Sequence, residues 1–80
     1  MDTIRTRRHR RLIEILAAQR KKLNVSQTEL ARNLRKSQTW VARIERHGRR
    51  IDVVEFLSLC EELGLDPVKL IRQIRDTARD

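Results

Sequence analysis

Residues 25–45 read VSQTELARNLRKSQTWVARIE, and this stretch decides the fold. Ser26 is followed three residues later by Glu29, the spacing of a capping box, in which each side chain satisfies a free backbone donor of a helix's first turn. Val25 and Leu30 flank the box as a hydrophobic staple. The pattern predicts a helix over about 27–34, with Leu30, Ala31 and Leu34 toward the core. Ala31 is small enough to let two helix axes cross at a steep angle. After a turn at Arg35-Lys36, Ser37 caps a second helix over about 38–46. Only Val41 and Ile44 need to be inside it, so Gln38, Thr39, Ala42, Arg43 and Arg46 face elsewhere. A short helix with a thin apolar stripe and a polar, cationic outer face suits insertion into a DNA groove.

On the amino-terminal side, Leu12, Ile13, Leu16, Ala17 and Leu23 recur at helical spacing and predict a first helix from about Arg10 to Lys22. Leu23-Asn24-Val25 forms the bend, with Asn24 able to take the left-handed conformation that ends helices. On the other side, His47 to Arg50 is a loop in which Gly48 supplies a positive φ. Asp52 and Glu55 form a second capping box, with Ile51 and Phe56 as its staple. The fourth helix continues through Leu57, Leu59, Cys60 and Leu63 to Gly64. Asp66-Pro67 opens a fifth, since proline at the first helical position loses no hydrogen bond. Val68, Leu70, Ile71 and Ile74 supply its apolar face. The expected architecture is all-α, a compact five-helix domain over residues 12–76. Residues 1–11 are a basic arm or the exposed start of helix 1, and residues 77–80 are a frayed tail.

Eighty residues can support only one small core. An aromatic content of 2%, with two glycines and one proline, excludes a β-sandwich and a low-complexity chain. The net charge of +8 and the sequence pI near 11.2 point to a polyanion as partner. Residues 1–50 carry 15 Lys or Arg against 4 Asp or Glu, whereas residues 51–80 carry 4 against 7. The basic part therefore coincides with the first three helices. Arg5, Arg7, Arg8, Arg10 and Arg11 offer phosphate contacts that are sensitive to salt but blind to sequence, or are simply solvated. Cys60 is the lone cysteine, which excludes an internal disulfide and a thiolate metal cluster and reads as a buried thiol. His9 has no partner at metal-ligand spacing, so no metal and no cofactor is expected. No paired histidine and nucleophile and no glycine-rich phosphate loop is present, so the chain does not read as an enzyme. No apolar run approaches the ~20 residues that span a bilayer. A cytoplasmic protein that engages no membrane is the expectation.

From Leu12 to Ile74 the chain resembles the lambda-repressor-like helix-turn-helix domains of the XRE or Cro/C1 type. The resemblance rests on Ser26-Gln27, on Glu29-Leu30-Ala31, on residues 38–45 and on the segment IERHGRRIDVVEFLSLCEELGLDP at 44–67. It implies that helices 2 and 3 are the helix-turn-helix, with Gln38, Thr39, Ala42 and Arg43 reading base edges. Gln27 would contact a phosphate, with Trp40, Arg46, Arg49 and Arg50 as further phosphate contacts. Arg20 would pair with Glu45 to tie helix 1 to the motif. Glutamine can bond adenine, and arginine guanine, in bidentate fashion, each pair discriminating by about 1–3 kcal/mol. Trp40 lies at the edge of the apolar stripe, which fits core packing equally well. The chain departs from the family at Arg35 and His47, where glycine is common, and at Lys36, where an apolar residue is common.

The expected function is a sequence-specific regulator of transcription that binds double-stranded DNA, of the repressor kind, as a homodimer. The resemblance suggests Leu65 to Lys69 as the dimer surface. The alternative is an antitoxin-like interaction module whose acidic helices 4 and 5 dock a basic protein partner, with DNA binding for autoregulation. Single-stranded RNA binding needs several stacking aromatics, and Phe56 and Trp40 are all this chain has.

Overall fold

The computed structural model describes residues 6–79, and they form five helices: α1 (Arg7–Lys22), α2 (Gln27–Asn33), α3 (Gln38–Glu45), α4 (Val53–Leu63) and α5 (Pro67–Asp76). No strand occurs among the described residues. Each helix opens on a side-chain cap: Thr6, Ser26, Ser37, Asp52 and Asp66. Both expected capping boxes are present, Ser26 with Glu29 and Asp52 with Glu55.

Helix α1 begins one turn earlier than its apolar spacing implies. The Thr6 hydroxyl accepts from the His9 N–H at 3.2 Å, so Arg7 to Arg11 are helical. A cap needs only one oxygen, and the apolar stripe that the periodicity detects starts later. Arg5 lies outside the described residues. Arg8 does not point at a polyanion: its Nη2 and Nε donate to the carbonyl oxygens of Arg75 at 2.8 Å and Thr77 at 3.1 Å. A cation there complements the unpaired carbonyls at the end of α5. Thr77 is accordingly no frayed residue, because it caps α5 and its hydroxyl donates to the Gln73 carbonyl.

Helices α1 to α4 end in one shared geometry. After each, a single residue takes positive φ: Asn24, Arg35, His47 and Gly64, at 61°, 58°, 61° and 68°. The next residue donates back across the last turn, Val25 to Arg20, Lys36 to Ala31, Gly48 to Arg43 and Leu65 to Cys60. This is the double hydrogen-bond pattern that satisfies orphan carbonyls at a helix end. The expected positive φ at Gly48 falls instead on His47, one residue earlier. An added Cβ at Gly48 would sit 3.4 Å from the Arg43 carbonyl oxygen, close to ordinary van der Waals contact.

The core consists of Ile13 and Leu16 from α1, Leu30 and Ala31 from α2, and Val41 and Ile44 from α3. Phe56, Leu59, Cys60 and Leu63 join from α4, and Leu70 from α5. Helix α1 packs on α3, α4 and α5, while α2 packs on α3. The Gln19 amide donates to the Leu63 carbonyl at 2.9 Å and locks α1 to the end of α4. Burial raises the Cys60 thiol pKa above its ordinary value, reinforced by Asp66 and Glu61, so it stays a protonated packing group.

Some residues expected inside lie outside. Leu23 is exposed because it caps α1 after the chain has begun to turn. Leu57, Val68 and Ile71 face solvent too, since five short helices bury only one stripe of α4 and α5. With Leu12, Ile51 and Phe56 they line an open apolar groove of about 440 Å³. No helix among the described residues is long and apolar enough to cross a membrane.

Candidate nucleic-acid interface

The outer face of α3 is built from its carboxyl end backward. Glu45 receives Arg20 in a two-point contact, Nε to Oε2 at 2.7 Å and Nη2 to Oε1 at 2.9 Å. Arg20 also donates through Nη1 to the Val25 carbonyl at 2.8 Å, so one buried guanidinium ties α1, the α1–α2 bend and α3 together. Burial alone would raise the Glu45 pKa. The Arg20 and Gln27 hydrogen bonds and the Arg20 and Lys21 charges outweigh it, leaving the carboxyl below its ordinary range. Donating to the Glu45 carboxylate raises the Arg20 pKa in turn.

From Glu45 a chain of amides runs to the amino end of the same helix. Gln27 donates from Nε2 to Glu45 Oε1 at 2.9 Å, and Gln38 donates from Nε2 to Gln27 Oε1 at 2.8 Å. An ionised carboxylate can only accept, which fixes which end of the Gln27 amide faces it. The Gln27 carbonyl oxygen must then face Gln38, which fixes the Gln38 amide. Its Oε1 and its second N–H have no partner among the described residues, and the side chain is exposed. Thr39 and Arg43 are also exposed on α3, and Ala42 is partly so. Arg46 and Arg50 are exposed beyond its end.

Trp40 is placed differently from the phosphate contact expected of it. Its indole N–H is enclosed and without a hydrogen-bond partner, and its ring packs against the core. The ring's outer surface carries two cations, with Lys36 Nζ 5.3 Å and the Arg49 guanidinium carbon 5.4 Å from its centroid. Both lie within the range of cation–π attraction. Arg49 is held further by Glu55, Nη1 to Oε1 at 3.0 Å and Nη2 to Oε2 at 2.9 Å. Its Nη1 also donates to the Arg50 carbonyl at 2.8 Å. The Arg49 hydrogen bond holds the Glu55 carboxyl below its ordinary pKa against the opposing effect of burial.

Two of these arrangements had no signal in sequence. Gln27 and Gln38 are 11 residues apart, and nothing in local spacing pairs them. His9 and His47 also meet, edge to face with ring centroids 6.1 Å apart, where α1 passes the end of α3. Burial lowers the His9 pKa and the nearby His47 adds to the effect. No group of three or more metal-ligating side chains exists among the described residues.

A helix-turn-helix family model, HTH_3, matches residues 16–70. An XRE-family-like protein from Pseudomonas syringae pv. tomato superposes with a TM-score of 0.79 at 34% identity, over 85% of this chain and 83% of that one. Two structures of the clp gene regulator ClgR from Corynebacterium glutamicum share the fold at 22% identity, with TM-scores of 0.75 and 0.74. Each match covers 85% of this chain, and 72% and 88% of the respective ClgR chains. Comparison with curated proteins finds no significant match. The class is thus a helix-turn-helix DNA-binding domain. Within that class, the chain belongs to the XRE family of the Cro/C1 type.

Proposed function

We propose that the chain is a sequence-specific regulator of transcription that lays α3 in the major groove of duplex DNA. The observation that carries this is the fixed polarity of the Gln38 amide. The Arg20–Glu45–Gln27–Gln38 chain leaves the Gln38 Oε1 and one of its N–H groups for an external partner, an acceptor and a donor of the kind that adenine N6 and N7 require. Thr39, Ala42 and Arg43 complete the reading surface. The second amide hydrogen of Gln27 serves a phosphate, and Arg46, Arg49 and Arg50 extend the backbone contact. The structural relatives, an XRE-family-like protein and a clp gene regulator, support the regulatory reading.

The protein acts as a homodimer in the cytoplasm, two copies reaching half-sites about 34–36 Å apart. The exposed apolar side chains Val53, Val54, Leu57, Val68 and Ile71 favour α4 and α5 as its contact. This extends the expected dimer surface, the loop and start of α5 at Leu65 to Lys69, along the exposed faces of α4 and α5. The test is titration of genomic duplex fragments at graded salt, with the mass in solution measured in parallel. Preferred sites and a dimer mass are expected, whereas equal affinity for every duplex would remove the sequence-specific reading. Under this reading Gln38→Ala relaxes base preference at one position of the site, and Gln27→Ala weakens binding to all duplexes alike.

A further inference from the structure

Arg49 is tied to Glu55 in a way that leaves two of its five guanidinium donors unused. The group has five N–H donors in a fixed planar fork. Both Nη1 hydrogens are taken, by Glu55 and by the Arg50 carbonyl, and one Nη2 hydrogen goes to Glu55. Nothing among the described residues accepts from Nε or from the second Nη2 hydrogen, and those two donors lie on one edge. That edge has the two-point geometry that matches a pair of phosphate oxygens. A third of the Arg49 side chain is exposed, against 14% of Glu55. The Trp40 ring supports one face of the guanidinium, and Lys36 brings a second cation to the same ring. Glu55 neutralises one charge of this cluster and leaves the other for an external anion.

We propose that Glu55 is a positioning residue for DNA binding, holding Arg49 so that its free edge clamps one backbone phosphate beside the start of α3. This rests on the DNA-binding reading above and adds a carboxylate to it. A carboxylate near a phosphate backbone ordinarily repels it, so the two possible roles of Glu55 predict opposite signs. If it positions Arg49, its removal weakens binding even though the protein gains positive charge. If it merely sits nearby, its removal strengthens binding.

Glu55→Gln is the variant of choice, because glutamine keeps the capping box with Asp52. Fluorescence anisotropy on a mixed-sequence 30-bp duplex, at several salt concentrations, would compare wild type, Glu55→Gln, Arg49→Ala and the double variant. Thermal melts would establish that each is folded at the assay temperature. Glu55→Gln is expected to weaken binding by roughly 3- to 10-fold, the cost of ordering one long side chain. Arg49→Ala should lower the slope of log K against log salt by about 0.9, one phosphate contact. In the Arg49→Ala background the Glu55→Gln effect should vanish. Equal or tighter binding by Glu55→Gln overturns the proposal, as does an equal loss in the Arg49→Ala background or an unchanged slope in Arg49→Ala. A wild-type chain that binds no duplex at all removes the DNA-binding reading itself, and this inference with it.

Discussion

Two Arg–Glu pairs flank α3, one on Glu45 at its carboxyl end and one against the ring of Trp40 near its amino end, and they differ in what they leave open. At the carboxyl end, Arg20 turns its Nε edge onto Glu45, and the side chains are only 10% and 14% exposed. Nη1 of that guanidinium serves the Val25 carbonyl at the bend, burial keeps the group from solvent, and the carboxylate's spare capacity goes to Gln27. At the amino end, Arg49 meets Glu55 through its Nη edge and keeps the Nε edge free. One pair closes a joint between helices, while the other holds a cation in place and leaves it usable. Identical side chains thus serve two purposes, decided by which edge of a planar fork the fold covers.

The difference should be largest in stability. Glu45→Ala strands a buried guanidinium and is expected to cost about 3 kcal/mol, the lower end for breaking a buried pair. Glu55→Gln, which breaks a more exposed pair and keeps its cap, should cost under about 1 kcal/mol. Urea unfolding of both variants measures the contrast, and equal losses would erase the distinction between the two ends.

Acid should act through both pairs. The Glu45 and Glu55 carboxyls have lowered folded pKa values, so their stabilisation is complete above the unfolded carboxylate pKa near 4.5 and lost as pH falls through the folded values. His9, also lowered by burial, adds a smaller loss that begins as pH drops below about 6.5, because the unfolded chain then binds more protons than the folded one. Melting temperatures from pH 8 to pH 3 should decline in these two stages. His9→Asn should remove the upper stage only.

The smallest effects lie in the backbone next to each end. Arg35 precedes α3 and His47 follows it, both left-handed without being glycine. A left-handed residue with a Cβ costs about 1–2 kcal/mol, partly offset by glycine's greater freedom in the unfolded chain. Arg35→Gly and His47→Gly should therefore each stabilise by about 0.5–1 kcal/mol in thermal or urea unfolding. A destabilised His47→Gly would mean that its contact with His9 outweighs the strain.

These contrasts also mark where sequence reasoning reached and where it stopped. Caps, boxes and staples are local, so Ser26 with Glu29 and Asp52 with Glu55 were legible from spacing. So was the left-handed Asn24. The Arg20–Glu45 pair came from the family resemblance, since 25 residues separate the two. The turn at Arg35 departs from the family in residue type, yet it keeps the left-handed geometry because the Lys36 to Ala31 hydrogen bond holds it. Contacts set by tertiary packing were not legible. The sequence leaves Trp40 between a phosphate contact and core packing; its indole is enclosed against the core, and the two cations on its ring arrive from different loops. On α5, Leu70 lies in the core and Ile74 packs against it, whereas Val68 and Ile71 are exposed. Helical periodicity cannot tell an inward stripe from an outward one when both are apolar.

The central claim is that α3 reads DNA with its Gln38 amide held in one orientation by Gln27 and Glu45. Selection of bound duplexes from a randomised pool, by wild type and by Gln38→Ala, tests it most directly. The account predicts one enriched motif for the wild type and, for Gln38→Ala, the same motif with its preference lost at a single A·T position. No enriched motif, or an unchanged motif in the variant, would contradict it.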